Sequence, residues 1–412
     1  MGETIVFQNA NIIDCTGKDP YNGTVVVSGN RISYVGPVDQ ASIPRGSKVV
    51  DLAGKSLMPG LIDAHTHIAI VDTRFFAENV DYPGAIYPYA VAQNLKNTLQ
   101  HGFTTIRDAG GCDWSFKVAV ERGMIPGPRM FISCAFLSQT GGHGDFRERH
   151  DRDPHESYHS IMPTPAICDG VDQVRQAARE QLRTGADQIK IMAGGGAASP
   201  TDPLDATQFT FEEIAAAVYE ASVVKKPVMA HVYIPEGIKN CANAGVRSIE
   251  HGNFLDEETA FLMKEKEMFL VPTLSAYDIM SRLGKEQGNS QVVLDKINYA
   301  KGAAPQGVEL ANSVGVSIAS GADVFGINSD KKALEIELKA DIIGPLKALM
   351  SATRTNAQLV GMGNDLGTIE TSKLADLIVV DGDPLDDIAM LQVENKISIV
   401  MQEGRIVKNI NQ

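Results

Sequence analysis

The sequence predicts an α/β protein: a (β/α)8 barrel of the TIM type, joined to a small composite β-sandwich that both ends of the chain build together. Strand-like and helix-like segments alternate from about residue 59 to residue 361, whereas both chain ends read as short strands only. The chain of 412 residues also exceeds the roughly 250–300 residues that one hydrophobic core usually supports. We therefore expect the sandwich over residues 1–58 and 362–412 and the barrel over residues 59–361.

The barrel prediction depends on eight strand-like runs separated by amphipathic stretches. Apolar residues recur at i, i+3 and i+4 in the stretches 89–101, 171–184 and 211–222, as on one face of a helix. Eight alternating units over about 300 residues favour a barrel, and a doubly wound open sheet is the alternative. The eight predicted strands are Leu61–His67, Thr104–Asp108, Arg129–Cys134, Gln188–Met192, Pro227–His231, Ser248–His251, Phe269–Thr273 and Val316–Ala319.

The sandwich prediction depends on short strands at both ends, neither set being long enough for a stable sheet alone. At the N-terminal end, Gly29-Asn30 is a hairpin signal between two of these strands. At the C-terminal end, Glu403-Gly404 turns the chain between two more. The predicted strands are Thr4–Gln8, Gly23–Ser28, Arg31–Val35, Val49–Asp51, Ala375–Asp381, Ile397–Gln402 and Arg405–Lys408.

Composition and charge exclude several classes of protein. A net charge of −14 argues against nucleic acid and against an anionic membrane surface as partners. No apolar run approaches the roughly 18–20 residues of a membrane span, and Met1-Gly2-Glu3-Thr4 does not begin a secretory signal. The cysteines are five in number and widely spaced, which favours a reduced, cytoplasmic setting. They are Cys15, Cys112, Cys134, Cys168 and Cys241.

Two histidines close the first predicted barrel strand. An apolar run stops at Pro59-Gly60, restarts as Leu61-Ile62, and ends in His65-Thr66-His67. Residues i and i+2 of a strand point to the same face, so His65 and His67 project side by side. Paired imidazoles are suitable ligands for a first-row metal, although pairs of surface histidines are also common.

Further ligand-type residues recur where other predicted strands end, and the active site of such a barrel lies at these ends. Lys190 lies on strand four, His231 and His251 end strands five and six, and Asp323 follows strand eight. Each has a simpler explanation: the histidines as hydrogen-bonded core residues, Asp323 as a helix N-cap, and Lys190 as half of a buried salt bridge. Together with the histidine pair, they suggest a zinc-like ion acting on water.

With these motifs the chain resembles the amidohydrolase superfamily of metal-dependent hydrolases over essentially its whole length. The C-terminal segment Gly367 to Pro384, which encloses Ala375-Asp376-Leu377-Ile378-Val379, is also typical of that family. The resemblance implies two divalent metal ions, zinc by preference, bridged by Lys190 in its carboxylated form, N6-carboxylysine. It places one ion on His65, His67 and Asp323 and the other on His231 and His251.

The resemblance also implies a mechanism. Two metals roughly 3.5–4 Å apart would lower the pKa of a bridging water towards neutrality and polarise the scissile carbonyl. Asp323 would take the proton from the attacking hydroxide and pass it to the leaving nitrogen. A carbamate on Lys190 would be an anion between two dications, which explains an otherwise costly buried lysine.

Two further residues narrow the substrate. His143 lies in Gln139-Thr140-Gly141-Gly142-His143-Gly144-Asp145, which opens the long irregular segment 138–169. Tyr233 shares a strand face with His231. The simpler explanations are a flexible glycine turn with an incidental histidine, and an aromatic residue at the rim.

This combination is similar to the branch of metal-dependent Xaa-Pro dipeptidases (prolidase-like enzymes) and lysine/arginine carboxypeptidases, and to amidohydrolases that hydrolyse ochratoxin, itself an amide of an amino acid with a free carboxylate. By that resemblance, His143 would hydrogen-bond the scissile carbonyl oxygen, and Tyr233 the substrate's terminal carboxylate. We therefore expect hydrolysis of dipeptides or N-acyl amino acids that carry a free C-terminal carboxylate.

Two alternatives stay open at this point. A ring-opening hydrolase of the imidazolonepropionase type characteristically uses one metal, so Lys190 counts against it. A non-catalytic assembly protein would have lost metal ligands, whereas all six positions are filled. The expected partners are a small-molecule or dipeptide substrate and a second copy of the chain in a homo-oligomer. Residues 279–300 are a candidate cover for the pocket that would hold the substrate's side chain.

Overall fold

The computed structural model describes residues 4–71, 85–147, 165–199 and 202–410. Among these residues no helix is both long and apolar enough to cross a membrane. Residues 1–3 lie outside the described residues, and the expected lack of a secretory signal depends on them. Residues 148–164, part of the long segment after predicted strand three, also lie outside.

Strands and helices alternate through the middle of the chain. The strands are β1 (Thr4–Ile12), β2 (Tyr21–Ser28), β3 (Arg31–Gly36), β4 (Lys48–Asp51), β5 (Ser56–Pro59), β6 (Leu61–Thr66), β7 (Phe103–Asp108), β8 (Arg129–Phe131), β9 (Leu137–Ser138), β10 (Ala166–Ile167), β11 (Ile189–Met192), β12 (Val228–Val232), β13 (Ser248–His251), β14 (Phe269–Val271), β15 (Ser317–Ile318), β16 (Leu377–Val380), β17 (Ile397–Gln402) and β18 (Arg405–Asn409). The helices are α1 (Tyr87–Gln100), α2 (Trp114–Glu121), α3 (Gly170–Arg183), α4 (Phe211–Val223), α5 (Pro235–Ala244), α6 (Glu257–Glu265), α7 (Leu274–Leu283), α8 (Gln291–Val314), α9 (Leu334–Ile343), α10 (Pro345–Met350) and α11 (Asn356–Leu359).

Strands from both chain ends belong to one eight-stranded sheet. Its order is β18-β17-β16-β5-β1-β2-β3, with β4 added beside β1. The two ends meet where β5 pairs antiparallel with β16, Leu57 lying opposite Val379. Because β5 continues through Gly60 into β6, this sheet leads directly into the strand that carries the histidine pair.

The middle of the chain contains two parallel sheets, β6-β7-β8 and β10-β9-β11-β12-β13-β14-β15. Among the described residues, strand pairing does not continue from one sheet to the other to form a single closed sheet. A few backbone hydrogen bonds nevertheless join their ends. The amide of Ala64 donates to the carbonyl of Ser320 at 2.8 Å, and the amide of Asp187 donates to the carbonyl of Ile132 at 2.6 Å. This mixed α/β arrangement is consistent with a TIM-barrel-type domain.

Local sequence signals account for several element boundaries. Helix α4 begins with a capping box, in which Thr210 and Glu213 bond each other's backbone amides. Strand β13 has the predicted bounds, whereas β8 ends at Phe131, three residues earlier than predicted. The segment predicted to be irregular contains β10, which pairs with β9. The candidate cover over residues 279–300 comprises the end of α7 and the start of α8.

The central strands β11, β12 and β13 are buried along their whole length. Parallel strands covered on both faces are normally continuous apolar runs, because burying an uncompensated polar side chain is unfavourable. The polar side chains within these strands therefore need specific partners or a ligand. They are Lys190, His231, Ser248, Glu250 and His251.

Candidate active site

All six predicted metal ligands line one pocket. Each is supplied by a different part of the parallel sheets: β6 and the residue just after it, β11, β12, β13, and the segment after β15. The sequence prediction of a shared site at the strand ends therefore agrees with where the structure places these side chains. The six predicted ligands are His65, His67, Lys190, His231, His251 and Asp323.

Three of these residues form a compact group that could hold a metal ion. Asp323 Oδ1 lies 3.6 Å from Nε2 of His65 and 3.4 Å from Nε2 of His67. The candidate ligand atoms of the three residues all lie within 4.8 Å of one another. Asp323 adopts the left-handed backbone conformation (φ 51°), and its amide donates to the carbonyl of His65 at 2.8 Å. Asp323 precedes no α-helix as an N-cap, because the short 3-10 helix that follows is preceded by Phe325.

The remaining two histidines lie beside this group. The ring centroids of His231 and His251 are 4.4 Å apart, and those of His65 and His251 are 5.3 Å apart. Four imidazoles thus surround one end of the pocket.

Each of the four imidazoles has one ring nitrogen bonded to, or within hydrogen-bond distance of, an oxygen outside the group. The other ring nitrogen is then the one available to a metal, an arrangement typical of metal-binding histidines. The contacts are His65 Nδ1 to Glu250 Oε2 (2.7 Å), His67 Nδ1 to the Gly110 carbonyl (2.8 Å), His251 Nδ1 to Thr273 Oγ1 (2.7 Å), and His231 Nε2 to the Gly195 carbonyl (3.1 Å).

Burial keeps these imidazoles neutral. Desolvation lowers the pKa of His65, His231 and His251 well below its usual value and lowers that of His67 to about 4. Neutral imidazole is the form that binds metal. Burial also raises the pKa of Asp323, to about 7, so in the metal-free protein this carboxyl group exchanges its proton near neutral pH.

Lys190 is 1% exposed and makes no ion pair with any carboxylate in the part of the chain that the structure describes. The salt bridge considered as its simpler explanation is therefore wrong within these residues. Burial lowers the pKa of its amine to about 8, although the charges of Glu250 and Asp323 oppose this shift. A buried amine that lines a pocket without a compensating partner is suited to chemical modification or to a ligand.

His143 and Tyr233 also line this pocket. The His143 ring is stacked on that of His231, with centroids 4.4 Å apart and planes inclined by 19°. Its backbone amide donates to Gln208 Oε1 at 2.8 Å, so a hydrogen bond from another segment holds the backbone of this glycine-rich loop. Tyr233 is only 3% exposed, which excludes a rim position, and its ring lies 5.0 Å from that of His231.

Sequence reasoning missed the remaining lining of the pocket. A half-buried ion pair between Asp145 and Arg147 reaches it from the loop after β9, and Tyr277 reaches it from α7. No periodic pattern identifies these positions, whereas Glu250, a carboxylate inside a buried strand, offered the same signal as Lys190. The apolar wall consists of Ile70, Phe136, Phe146, Met192, Met280 and Phe325.

Comparison with known proteins shows which family the chain matches. The model of the Amidohydrolase family matches residues 56–407. Ochratoxinase from Aspergillus niger is 32% identical over 419 residues, which cover 98% of this chain and 86% of the ochratoxinase. The crystal structure of that ochratoxinase has a TM-score of 0.85 and 31% identity, covering 99% of this chain and 96% of the other.

Two further solved structures are similar along their full length. A prolidase complexed with N-methylphosphonate-L-proline has a TM-score of 0.93 and 38% identity, and the match covers 98% of this chain and 100% of the prolidase. A Xaa-Pro dipeptidase with methionine bound in its active site has a TM-score of 0.89 and 29% identity, covering 99% and 100% of the two chains.

Proposed function

The chain belongs to the amidohydrolase family and is a hydrolytic enzyme, and from that premise we propose that it is a binuclear metal-dependent amidohydrolase. Its proposed substrates are dipeptides, Xaa-Pro or similar, and N-acyl amino acids, in each case with a free C-terminal carboxylate. The reaction is hydrolysis of the amide bond.

One observation carries the proposal. Six side chains of metal-ligand type converge on one pocket from four strands and the segments that follow β6 and β15, and one of them is a buried lysine without an ion pair among the described residues. Four neutral imidazoles and a carboxylate are a donor set for divalent transition metals. The position of Lys190 among them is unfavourable for an ammonium ion but favourable for an anionic carbamate between two cations.

The residues present fit two divalent ions. His65, His67 and Asp323 would hold one ion, His231 and His251 would hold the other, and carboxylated Lys190 would bridge them. We expect zinc. When bound, the ions would acidify a water molecule and polarise the scissile carbonyl.

The other roles fall to side chains of this chain. Asp323 would accept a proton from the water and release it to the leaving nitrogen. His143 would donate a hydrogen bond to the scissile carbonyl oxygen, where negative charge develops. Tyr233, buried beside His231, would donate its hydroxyl hydrogen to the substrate carboxylate.

The substrate class is supported by what the similar proteins are. A prolidase and a Xaa-Pro dipeptidase are among them, one with a proline derivative and the other with methionine bound. Both ligands are built on amino acids. The apolar wall of the pocket can accommodate a non-polar group on the acyl side of the amide bond.

The domain division is part of the same proposal. We assign residues 59–361 to the hydrolase barrel and residues 1–58 with 362–412 to a β-sandwich. The pairing of β5 with β16 supports a shared domain for the two ends, since it joins the strands of both in one sheet.

The test is a substrate screen with metal analysis. Purified protein is assayed for bound metal and then incubated with Xaa-Pro dipeptides, other dipeptides, N-acyl amino acids and the C-terminal amide of each. We expect close to two divalent ions per chain, cleavage of substrates with a free carboxylate, and loss of activity on chelation. An active, metal-free preparation, or cleavage of neutral cyclic amides alone, would contradict the proposal.

A further inference from the structure

A buried carboxylate with no role in the mechanism above lies behind His143. Asp202 is 5% exposed. Its Oδ2 atom accepts hydrogen bonds from the amide of Gly196 at 2.7 Å and from Nε2 of Gln208 at 3.3 Å. Its Oδ1 atom has no hydrogen-bond partner among the residues that the structure describes. Asp202 therefore interacts mainly through one oxygen.

The same oxygen faces the imidazole of His143. Nδ1 of His143 lies 3.5 Å from Asp202 Oδ2 and 3.2 Å from Ser199 Oγ. Gln208 connects the two residues a second time, because its Oε1 accepts the His143 backbone amide while its Nε2 donates to Asp202. The ring and the backbone of His143 are thus both held from the side of Asp202.

Gly196 packs against the imidazole of His143. A Cβ atom at this position would lie 1.9 Å from Cε1 and Nδ1 of His143, so the ring packs directly on the glycine backbone. The ring is also stacked on that of His231. The imidazole therefore contacts both the glycine backbone and a second ring.

The charge of Asp202 is compatible with this role. Burial raises the pKa of the carboxyl group, but hydrogen bonding and attraction to His143, the Gly196 amide and Lys296 outweigh it, so its pKa is lowered overall. Nζ of Lys296 lies 3.9 Å from Oδ1 and donates to the backbone carbonyls of Ser199 and Asp202. The carboxylate is anionic at neutral pH and remains a hydrogen-bond acceptor.

We propose that Asp202 is a positioning residue for His143, holding Nδ1 of the imidazole so that Nε2 is the ring nitrogen presented to the substrate. The inference rests on the proposed function, in which His143 contacts the scissile carbonyl. A group fixed in this way needs no reorientation as charge develops on the carbonyl oxygen, so its loss affects kcat more than KM.

Two substitutions at Asp202 separate geometry from charge. Asp202→Ala removes the acceptor and should lower kcat about ten- to hundredfold, by analogy with the loss of groups that orient metal-bound histidines. Asp202→Asn should retain most of kcat, because its amide oxygen can replace Oδ2 and its NH2 group can occupy the place of Oδ1. Asp205→Asn changes an exposed carboxylate three residues away and is the matched control.

The decisive measurement repeats Asp202→Ala in a His143→Ala background, on any substrate that the wild type cleaves. We expect a loss of kcat in the wild-type background and none in His143→Ala, with bound metal unchanged throughout. An equal loss of kcat in both backgrounds, an unchanged kcat, or an Asn variant as impaired as the Ala variant would overturn the proposal.

A second variant keeps the test independent of substrate. Gly196→Ala should lower the melting temperature of the metal-free wild type, since the new methyl group collides with the imidazole, and should be tolerated in His143→Ala. Asp202→Ala should destabilise the wild type more than His143→Ala, since in the latter background only its bonds to the Gly196 amide and Gln208 are lost. If no amide is cleaved but this thermal coupling is present, the proposed function fails while the Asp202–His143 contact stands. Equal destabilisation in both backgrounds would overturn the contact itself.

Discussion

Nδ1 of His65 lies 2.7 Å from Oε2 of Glu250, and both side chains are buried. The imidazole comes from β6 and the carboxylate from β13, so the contact joins residues that are 185 positions apart. Arg107 donates to both Glu250 oxygens, at 2.8 and 3.0 Å, and Ser248 Oγ donates to one of them at 2.5 Å. The carboxylate that holds His65 is therefore itself fixed by hydrogen bonds to both of its oxygens. Nε2 of His65 then faces Asp323.

Glu250→Gln should weaken metal binding. The neutral amide accepts a weaker hydrogen bond from His65 and leaves Arg107 without its buried counter-charge, so the imidazole loses orientation and basicity. We expect about a ten- to hundredfold loss of metal affinity, measured by competition with a chromogenic chelator. Glu257→Gln, on the exposed start of α6, is the control. Unchanged affinity in Glu250→Gln would mean that this contact does not support a metal ligand.

Metal affinity should rise with pH through about 7. In the metal-free protein burial raises the pKa of Asp323 to about 7, and the carboxyl group must lose its proton to bind a cation. The buried histidines do not contribute a step there, because their lowered pKa values leave them neutral already. One released proton corresponds to about tenfold in affinity per pH unit below that point.

The measurement is a chelator competition with zinc at about pH 6 and about pH 8. Asp323→Asn should bind metal more weakly at both values and lose the part of the slope that this carboxyl group contributes. A slope in the variant as steep as in the wild type would assign the released proton to another group.

Lys190 should become carboxylated when metal is supplied with bicarbonate. Only the neutral amine attacks carbon dioxide, forming the carbamate with release of a proton, and burial lowers the pKa of this amine to about 8. Bound metal should therefore increase on adding bicarbonate, more at about pH 8 than at about pH 6.5.

Two substitutions test this bridge. Lys190→Ala should lose metal and activity, with partial recovery on adding a short carboxylic acid. Lys190→Arg should recover nothing, since a guanidinium cannot become an anionic bridge. A fully metallated crystal that shows a bare ammonium at residue 190 beside an acidic side chain would refute carboxylation.

The sequence could predict that these six residues share one pocket, because each stands out locally. His231 and Lys190 interrupt apolar strands, and His65 and His67 follow the two-residue period of a strand. Since such positions end parallel strands, the topology alone brings them together. Asp202 and Gln208 could not be predicted, because they contact His143 through irregular loops about 60 positions apart in sequence, where no periodicity exists.

The fold, like the site, has features that the sequence could predict and features that it could not. That the two chain ends join in one sheet could be expected, because neither end can form a stable sheet alone. The strand β5, which pairs with β16, is not among the predicted strands. The short strands β9 and β10 could not be predicted, since two-residue strands have no period to detect. The apolar wall formed by residues such as Phe136 and Phe146 could not be predicted either, because the sequence does not indicate which way an aromatic side chain in a loop points.

Lys332→Met should destabilise the protein strongly. Nζ of Lys332 lies 3.3 Å from Oδ2 of Asp63, and both side chains are almost fully buried. Oδ1 of Asp63 accepts the backbone amides of His65 and Ala322, so this carboxylate joins the two segments that carry the proposed metal ligands His65 and Asp323. Without Lys332 the buried charge is uncompensated, which costs about 3–5 kcal/mol.

Urea unfolding of the metal-free protein measures this loss. Lys285→Met, at an exposed lysine, should change the free energy of unfolding by less than about 0.5 kcal/mol. Adding Asp63→Asn to Lys332→Met should recover part of the loss, because it removes the uncompensated charge. A loss in Lys332→Met no larger than in Lys285→Met would show that the pair is not needed for folding.

Tyr233→Phe should lower kcat/KM by about ten- to a hundredfold for substrates with a free carboxylate, because a hydrogen bond to a charged group contributes roughly 1.5–3 kcal/mol. The loss should vanish when the carboxylate is replaced by an amide, since the mutant and the wild type then lack the same contact. Tyr299→Phe, at a tyrosine that is 67% exposed, is the matched control and should cleave both substrates normally.

His143→Ala should behave differently from Tyr233→Phe. It should lower kcat for the acid and for the amide form alike, because His143 is proposed to act on the carbonyl oxygen, which both substrates share. The two variants thus distinguish a contact to the substrate's end from a contact to its reacting group, measured as kcat and KM on matched pairs of substrates. Equal cleavage of acid and amide by the wild-type enzyme would rule out recognition of the carboxylate by Tyr233, and it would favour a neutral amide as the substrate.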